Sequence, residues 1–375
     1  PLAEKLIVPD ISQIMTEQDP DRYPFVRFLE ALAKNKATHW KHEWNEERLK
    51  AFRTTVKTGS GIIGSAVSTD LQVDDANLFV GGDMIRIQHG TTFENVYVAS
   101  VTNSTTLVVT RAQSGTTALA TIAAADEVIH LGSASAENAG APDGDHIDPT
   151  PIYNIVQIFR DAVELSEDAI NLKYFNWSDI EKKQLKDAAQ KHLEKMERAF
   201  LLGERSYNSG KRTTGGFEWF IRTYGSLTDT NLGLSNSVFD MSGLSFNELT
   251  FDKMSDPIFR YGSKTKVMLG SGATLSKVGT FGKAYLENDQ AASETLGLRV
   301  KRVTTEHGDL MLVRHRMFDE ISYLRTRAFI FDPEHVSKSI FTNSDTKLFM
   351  NIQNNDVDGV KHEYRTKCTL EVRNP

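Results

Sequence analysis

Several groups of residues have types and spacings that could do chemistry. Gly59-Ser60-Gly61-Ile62-Ile63-Gly64 matches G-x-G-x-x-G, and Asp83 lies about where a ribose-binding acid would stand. Such a dinucleotide site needs a following helix whose N-terminus faces the pyrophosphate. The next residues, SAVSTDLQVDD, are β-branched and Ser-rich with no helical stripe, so these glycines read as a flexible joint. His39, His42 and Glu43 form H-x-x-H-E, which resembles metal-ligand spacing. No third ligand is close in sequence, and Trp40 and Trp44 favour a packed aromatic segment. Asn354, Asp356, Asp358 and Gly359 imitate half of an EF-hand loop, but Arg365 occupies the place of its bidentate glutamate. Gly210-Lys211 lacks P-loop spacing, and Arg212 stands where Ser or Thr is required. Cys368, on an expected strand without an oriented histidine, makes a poor nucleophile. The expectation is therefore no enzyme, no metal and no cofactor.

The elements that would hold such residues are organised around one stretch, SDIEKKQLKDAAQKHLEKMERAFLL, residues 178 to 202. Ser178 is the expected N-cap, Glu181 completes a capping box, and Gly203 is the expected C-cap. Leu185, Ala189, Leu193, Met196 and Phe200 recur at three- and four-residue steps and predict one apolar face. A helix of this length, on the order of 37 Å, spans about a domain and must be covered by other elements. Before it, residues 1 to 50 read as an arm punctuated by Pro9, Pro20 and Pro24, in which Leu6-Ile7-Val8 has no local partner. Residues 37 to 56 read as a long strand, or a strand turning helical, and 154 to 171 as a strand running into a short helix. Helical spacing returns in 246 to 262. KLFMNIQ and VKHEYRTKCTLEV form a closing hairpin through Asp358-Gly359.

Between Gly59 and about Gly132 the composition shifts to Thr, Val, Ala, Ser and Gly, with short β-type runs separated by Gly81-Gly82-Asp83, Asn103-Ser104 and Ser114-Gly115. That spacing predicts a small all-β module of five or six strands, closed by the linker 133 to 151. Charge follows the same division. From Gly59 to Thr150 eleven acids face only Arg86 and Arg111, and no lysine lies between Lys57 and Lys173. No apolar run approaches the roughly 18 residues of a membrane helix, and no signal peptide opens the sequence, so no membrane partner is expected. A single cysteine forbids an intrachain disulfide and suits folding in a reducing, intracellular setting. Pro1 at the start implies a trimmed initiator methionine or a removed N-terminal segment.

In order and spacing, several stretches resemble the major capsid proteins of tailed bacteriophages with the Hong Kong 97-type fold. They are ISQIMTEQDPDRYPFVRFLEALAKNKATHWKHEWNEERL, NIVQIFRDAVELSEDAI, EKMERAFLLGERS followed by a basic loop and GGFEWFI, HGDLMLVRHRMF, and YRTKCTLEVRN. The resemblance covers about four-fifths of the chain and excludes the β module. It implies an α+β fold: an N-terminal arm over 1 to 50, and an extended loop over 51 to 160 carrying the all-β insertion at about 59 to 132. A peripheral domain over 161 to 262 would hold the spine helix 178 to 203, with an axial domain over 263 to 330 and a return to the peripheral domain over 331 to 375. It further implies pentamers and hexamers in an icosahedral shell around double-stranded DNA. Scaffolding, decoration and portal proteins would be partners, and the chain would be a virion component assembled in the host cytoplasm. On this reading Arg205, Lys211, Arg212 and Arg222 touch DNA or a neighbour's carboxylates, or simply form a solvated loop. The acidic insert would face solvent, and no lysine–asparagine crosslink is expected.

Two other classes explain parts of the chain. A tail or adhesion component, whose β insertion binds a receptor or glycan, explains the Thr/Val-rich insert but not the long helix and arm. An enzyme built on G-x-G-x-x-G or H-x-x-H-E would carry bound nucleotide or stoichiometric zinc.

Overall fold

The structure is a computed structural model describing residues 23–32, 34–47, 50–57, 62–63, 70–135, 149–172, 179–227, 233–242, 245–281 and 300–374, with positions 137, 140, 144 and 147. Residues 1–22 of the arm, Ser178, and most of the G-x-G-x-x-G stretch lie outside them. The chain divides into two compact units, one drawn from Pro1–Trp44 and Ile152–Pro375, the other Asn45–Pro151.

Alternating apolar residues build the second unit. Its six-stranded antiparallel sheet runs in the order Arg53–Thr55, Glu127–Ser133, Asp83–His89, Thr92–Asn103, Thr106–Thr110, Asp70–Gln72. Ile85, Ile87, Val96, Val98, Leu107, Val109 and Val128 share its buried face, as the period of two requires. Arg53–Thr55 closes one edge, so the sheet begins before the change of composition at Gly59. The register also turns one charged pair inward. Glu94 lies two residues before Val96, and Arg111 two after Val109, on neighbouring strands or just beyond them. Both side chains are buried, and the guanidinium donates to the carboxylate through Nε at 3.0 Å.

In the first unit a five-stranded sheet joins Asn35–Ala37, Val336–Phe341, Val360–Val372 and Gln157–Leu165, with Lys347–Phe349 also paired to Val360–Val372. Among the described residues, the segment from 37 to 56 follows Asn35–Ala37 with two further short strands, Lys41–Glu46 and Arg53–Thr55, and no helix. The central helix, Ile180–Leu202, packs across Gln157–Leu165 and Val360–Val372. Its N-cap is Asp179 rather than Ser178: the Asp179 carboxylate accepts from Lys182 N at 3.0 Å, an equally good cap one residue later. Glu181 takes a hydrogen bond from the buried His362 at 2.9 Å; the capping box expected between it and Ser178 lies outside the described residues. Gly203 stands at the C-cap, with its N–H donating to Ala199 O. Glycine is needed there because a Cβ would overlap Ala199 O and Thr214 O, not because of a left-handed backbone.

The buried face of the helix also departs from the expected stripe. Ala188, His192, Met196, Glu197, Phe200 and Leu201 are buried, whereas Leu185, Ala189 and Leu193 are half-buried. Two polar residues go inward because partners wait for them. The surrounding core is aromatic, with Phe25 and Phe217 packed edge-to-face on Phe331 at 5.5 and 5.3 Å. A four-stranded sheet, ordered Val300–Thr304, Asp309–Arg314, Thr265–Gly270, Ala328–Phe331, forms a further cluster with the helix Glu248–Phe259, capped by Asn247. Lys347–Phe349 and Val360–Val372 do pair, but through a loop of residues 350–359 rather than a two-residue turn at Asp358-Gly359.

Candidate functional site

The described part of the arm contains a helix, Pro24–Ala31, whose sequence offers no cap of its own. Tyr23 sits at the N-cap without a side-chain hydrogen bond, and Pro24 occupies the first turn, where its missing N–H costs nothing. The next two donors, Phe25 N and Val26 N, reach the two carboxylate oxygens of Glu197 at 2.7 and 2.6 Å. The cap is therefore supplied from the central helix, more than 170 residues away in sequence. Glu197 is 1% exposed, and its Oε1 also meets His315 Nε2 at 2.6 Å. Through Nδ1, His315 accepts from Met317 N and caps the short helix Arg316–Glu320. One buried carboxylate thus ties three segments together, and the anion at a helix N-terminus gains from the helix dipole as well.

A second hub holds the arm one strand later. Asn35–Ala37 adds to the edge of the five-stranded sheet in parallel with Val336–Phe341. The buried Glu371 accepts from Asn35 Nδ2 at 2.9 Å, from Ser339 Oγ at 3.1 Å and from Arg373 Nε, and meets His42 Nε2 at 2.9 Å. Burial alone would raise the Glu371 carboxyl, but the hydrogen bonds from His42, Asn35 and Arg373 outweigh it and hold it at about 2. Between the two hubs lies Lys338, fully buried, with Glu30 of the arm helix at 3.4 Å and Asp345 at 3.7 Å.

These groups give acid sensitivity a definite sign. A carboxyl held below its unfolded value contributes stability above the unfolded pKa, and that contribution is lost as pH falls through the folded one. For Glu371 the window runs from about 4.5 down to about 2, and the amount is about 3 kcal/mol. His192 adds to it in an earlier window. Burial lowers its pKa from 6.5, opposed by Asp161 at 2.7 Å, so acidification below 6.5 begins to charge a histidine the fold holds neutral. Unfolding free energy measured by denaturant at pH 7 and pH 3 should fall steeply in the parent chain. It should fall distinctly less in Glu371→Gln; equal slopes would remove Glu371 from the account.

The sequence-derived candidates are dispersed. His42 turns to Glu371, His39 Nδ1 accepts from Lys41 N, and Glu43 pairs with Lys41, so H-x-x-H-E does not converge. Among the described residues no group of three His, Cys, Asp or Glu is placed to hold a metal. Cys368 is fully buried beside Met196, and burial pushes its thiol up to about 12, which leaves it unreactive. Of the four basic candidates, Arg205 lies between the rings of Tyr153 and Trp219 at 3.8 and 4.3 Å and donates to Tyr153 O at 2.6 Å. Arg222 pairs with Glu204. Lys211 is exposed and Arg212 half-buried on the second strand of a hairpin, Ser206–Asn208 with Lys211–Thr213. Sequence reasoning missed Glu197, His315, Glu371 and Lys338; the only local signal was a helix, Pro24–Ala31, left without a cap.

Among solved structures, the chain is similar to the capsid of a native GTA particle, at 10% identity and TM-score 0.49, over 98% of this chain and 92% of that one. It is similar to chains from Microbacterium phage Oxtober96 (10%, TM-score 0.45, 99% and 91%) and Mycobacterium phage Adephagia (10%, TM-score 0.43, 99% and 90%). No curated protein matches the sequence. The assignment rests on the family model for the SU10 major capsid protein, which matches residues 3–375. An α+β chain with buried carboxylates spent on docking its own arm, and matched to that model from end to end, belongs to the SU10 major capsid protein family, the structural proteins that form the icosahedral heads of tailed phages.

Proposed function

We propose that the chain builds pentamers and hexamers of the shell around double-stranded DNA through a rigid body and a docked arm. The observation that supports this is the Glu197 hub, which ties the arm helix Pro24–Ala31 to the central helix and to His315. On this reading residues 1 to 50 are the arm and 51 to 160 an extended loop bearing the all-β insertion. Residues 161 to 262, with the spine helix 178 to 203, form the peripheral domain, 263 to 330 the axial domain, and 331 to 375 the return. The insertion acts as a non-covalent clamp or a decoration, since it has no lysine from which to crosslink. Packaged DNA is met without sequence preference, with Lys211 and Arg212 the better placed of the four basic candidates because Arg205 and Arg222 are engaged within the chain. Scaffolding, decoration and portal proteins complete the set of partners.

Electron microscopy with light scattering on the purified chain tests this. Closed shells of tens of nanometres, or free pentamers and hexamers, are expected. A uniform monomer that stays unassembled even when co-expressed with a scaffold, while the insert binds a glycan or receptor, would replace this reading with that of an adhesion component.

A further inference from the structure

Residues 206–213 form a hairpin that the core does not use. Ser206–Asn208 pairs with Lys211–Thr213 through Ser209 and Gly210, whose φ values of 47° and 81° give the type I′ turn that suits two twisted strands. Every strand residue is exposed except the half-buried Arg212. A two-stranded hairpin is marginally stable by itself. Beyond its own ladder, this one is held by Thr213 Oγ1, which donates to Glu204 O at 2.7 Å, and by the Tyr207 ring. That ring stacks on Trp40 at 5.2 Å with 25° between the planes, and the exposed His39 lies on Trp40 in turn, also at 5.2 Å. Although it rests on Trp40, Tyr207 is still 58% exposed. An aromatic side chain left this open forgoes most of the burial that stabilises such residues elsewhere in the chain.

Charge is added to the open ring. Arg212 stands directly across from Tyr207, hence on the same face, and Lys211 adjoins it at the turn. Among the described residues neither forms an ion pair. From Gly203 to Gly216 the bases Arg205, Lys211 and Arg212 meet one acid, Glu204, which Arg222 already holds. Cations beside an exposed, already stacked ring suit a single strand, whose bases extend the stack while its phosphates meet the cations. A duplex, with its base faces stacked on one another, would use only the cations. An acidic protein segment fits less well, because no aliphatic side chain lies between Ser206 and Thr213 to form the dry centre of an interface. We propose that Tyr207 on Trp40, with Arg212 and Lys211, is a binding site for an unpaired base of a single-stranded nucleic acid. This rests on the reading in which Lys211 and Arg212 face nucleic acid, and adds the ring that selects single strands.

The test is fluorescence anisotropy of the unassembled full chain with labelled oligothymidylate, oligouridylate and a DNA duplex of equal length. Tyr207→Ala should weaken single-strand binding about tenfold and leave duplex binding unchanged. Tyr207→Phe should bind like the parent and Tyr207→Leu like the alanine variant, which separates the π face from mere bulk; equal melting temperatures exclude a folding defect. Lys211→Gln with Arg212→Gln should weaken both ligands and flatten the single-strand salt slope by about 1.4, the share of two phosphates. Ultraviolet crosslinking of bound oligothymidylate should label the hairpin or Trp40. Binding of either single strand supports the site, and the comparison of the two says which nucleic acid supplies the base. Unchanged single-strand binding in Tyr207→Ala, an equal loss on the duplex, or crosslinks confined elsewhere each overturns the site. So does displacement by polyglutamate at equal charge, which would mark an acidic protein partner. If the duplex is bound through Lys211 and Arg212 without any effect of Tyr207, the site alone fails. If the parent chain binds neither form, the assignment of these bases to nucleic acid fails with it.

Discussion

Glu197→Ala lowers the stability of the first unit by about 3–5 kcal/mol and releases the arm. The size follows from what stays behind: Phe25 N and Val26 N lose their acceptor at a buried helix start, and His315 loses its partner while remaining fully buried. Each buried donor left without a partner costs about 1–3 kcal/mol, and water cannot reach a site that is 1% exposed without opening the core. Denaturant unfolding gives the magnitude, and limited proteolysis gives the place, since cleavage should appear first between residues 23 and 50. Glu197→Gln should cost less, because an amide keeps one acceptor oxygen but turns a donor toward another donor. A Glu197→Ala chain that melts with the parent and resists protease there would show that the arm is held by its aromatic packing alone, through Phe25 on Phe331 and Phe217.

Arg111→Ala produces a loss of similar size, about 3–5 kcal/mol, confined to the β unit. Glu94 is fully buried on the inward face of its strand, and burial alone would raise its pKa. The hydrogen bond from Arg111, helped by Leu119 N and Ala112 N at 2.9 Å each, reverses that and keeps the carboxylate charged. Without the guanidinium the charge is stranded in the core. Hydrogen exchange should then speed up over residues 83 to 130 while amides of the central helix keep their protection, because the two units have separate cores. Loss of protection across both would instead mean that the units unfold as one. Removing Glu94 is no remedy: it also serves two backbone donors, so Glu94→Leu with Arg111→Met leaves Leu119 N and Ala112 N without their acceptor.

Periodicity made much of this legible in advance. A three- and four-residue repeat announced the central helix, and a change to Thr, Val and Gly announced a β module, because backbone geometry imposes those periods on any chain that must hide one face. The errors sit where a local rule met a distant partner. Asp179 caps the helix through Lys182 N where Ser178, of similar capping strength, was expected one residue earlier. The buried face runs through His192 and Glu197 instead of Leu185 and Leu193, because Asp161, Thr366, His315 and the arm supply the hydrogen bonds that make polar burial affordable. In the same way Arg205 and Arg222 looked available as part of a basic loop, yet a Tyr–Trp sandwich and Glu204 already hold them.

Chain order alone made legible the central helix, the β module, the concentration of negative charge between Gly59 and Thr150, and an order of segments resembling a capsid subunit. All of these depend on neighbours within a few turns or on sums over the chain. Only the tertiary structure decided which carboxylates are structural, that the arm helix takes its cap from Glu197, and that Tyr207 stacks on Trp40. The reason is the same in each case: those partners lie as far as 336 residues apart in sequence, and nothing short of the folded register brings them together.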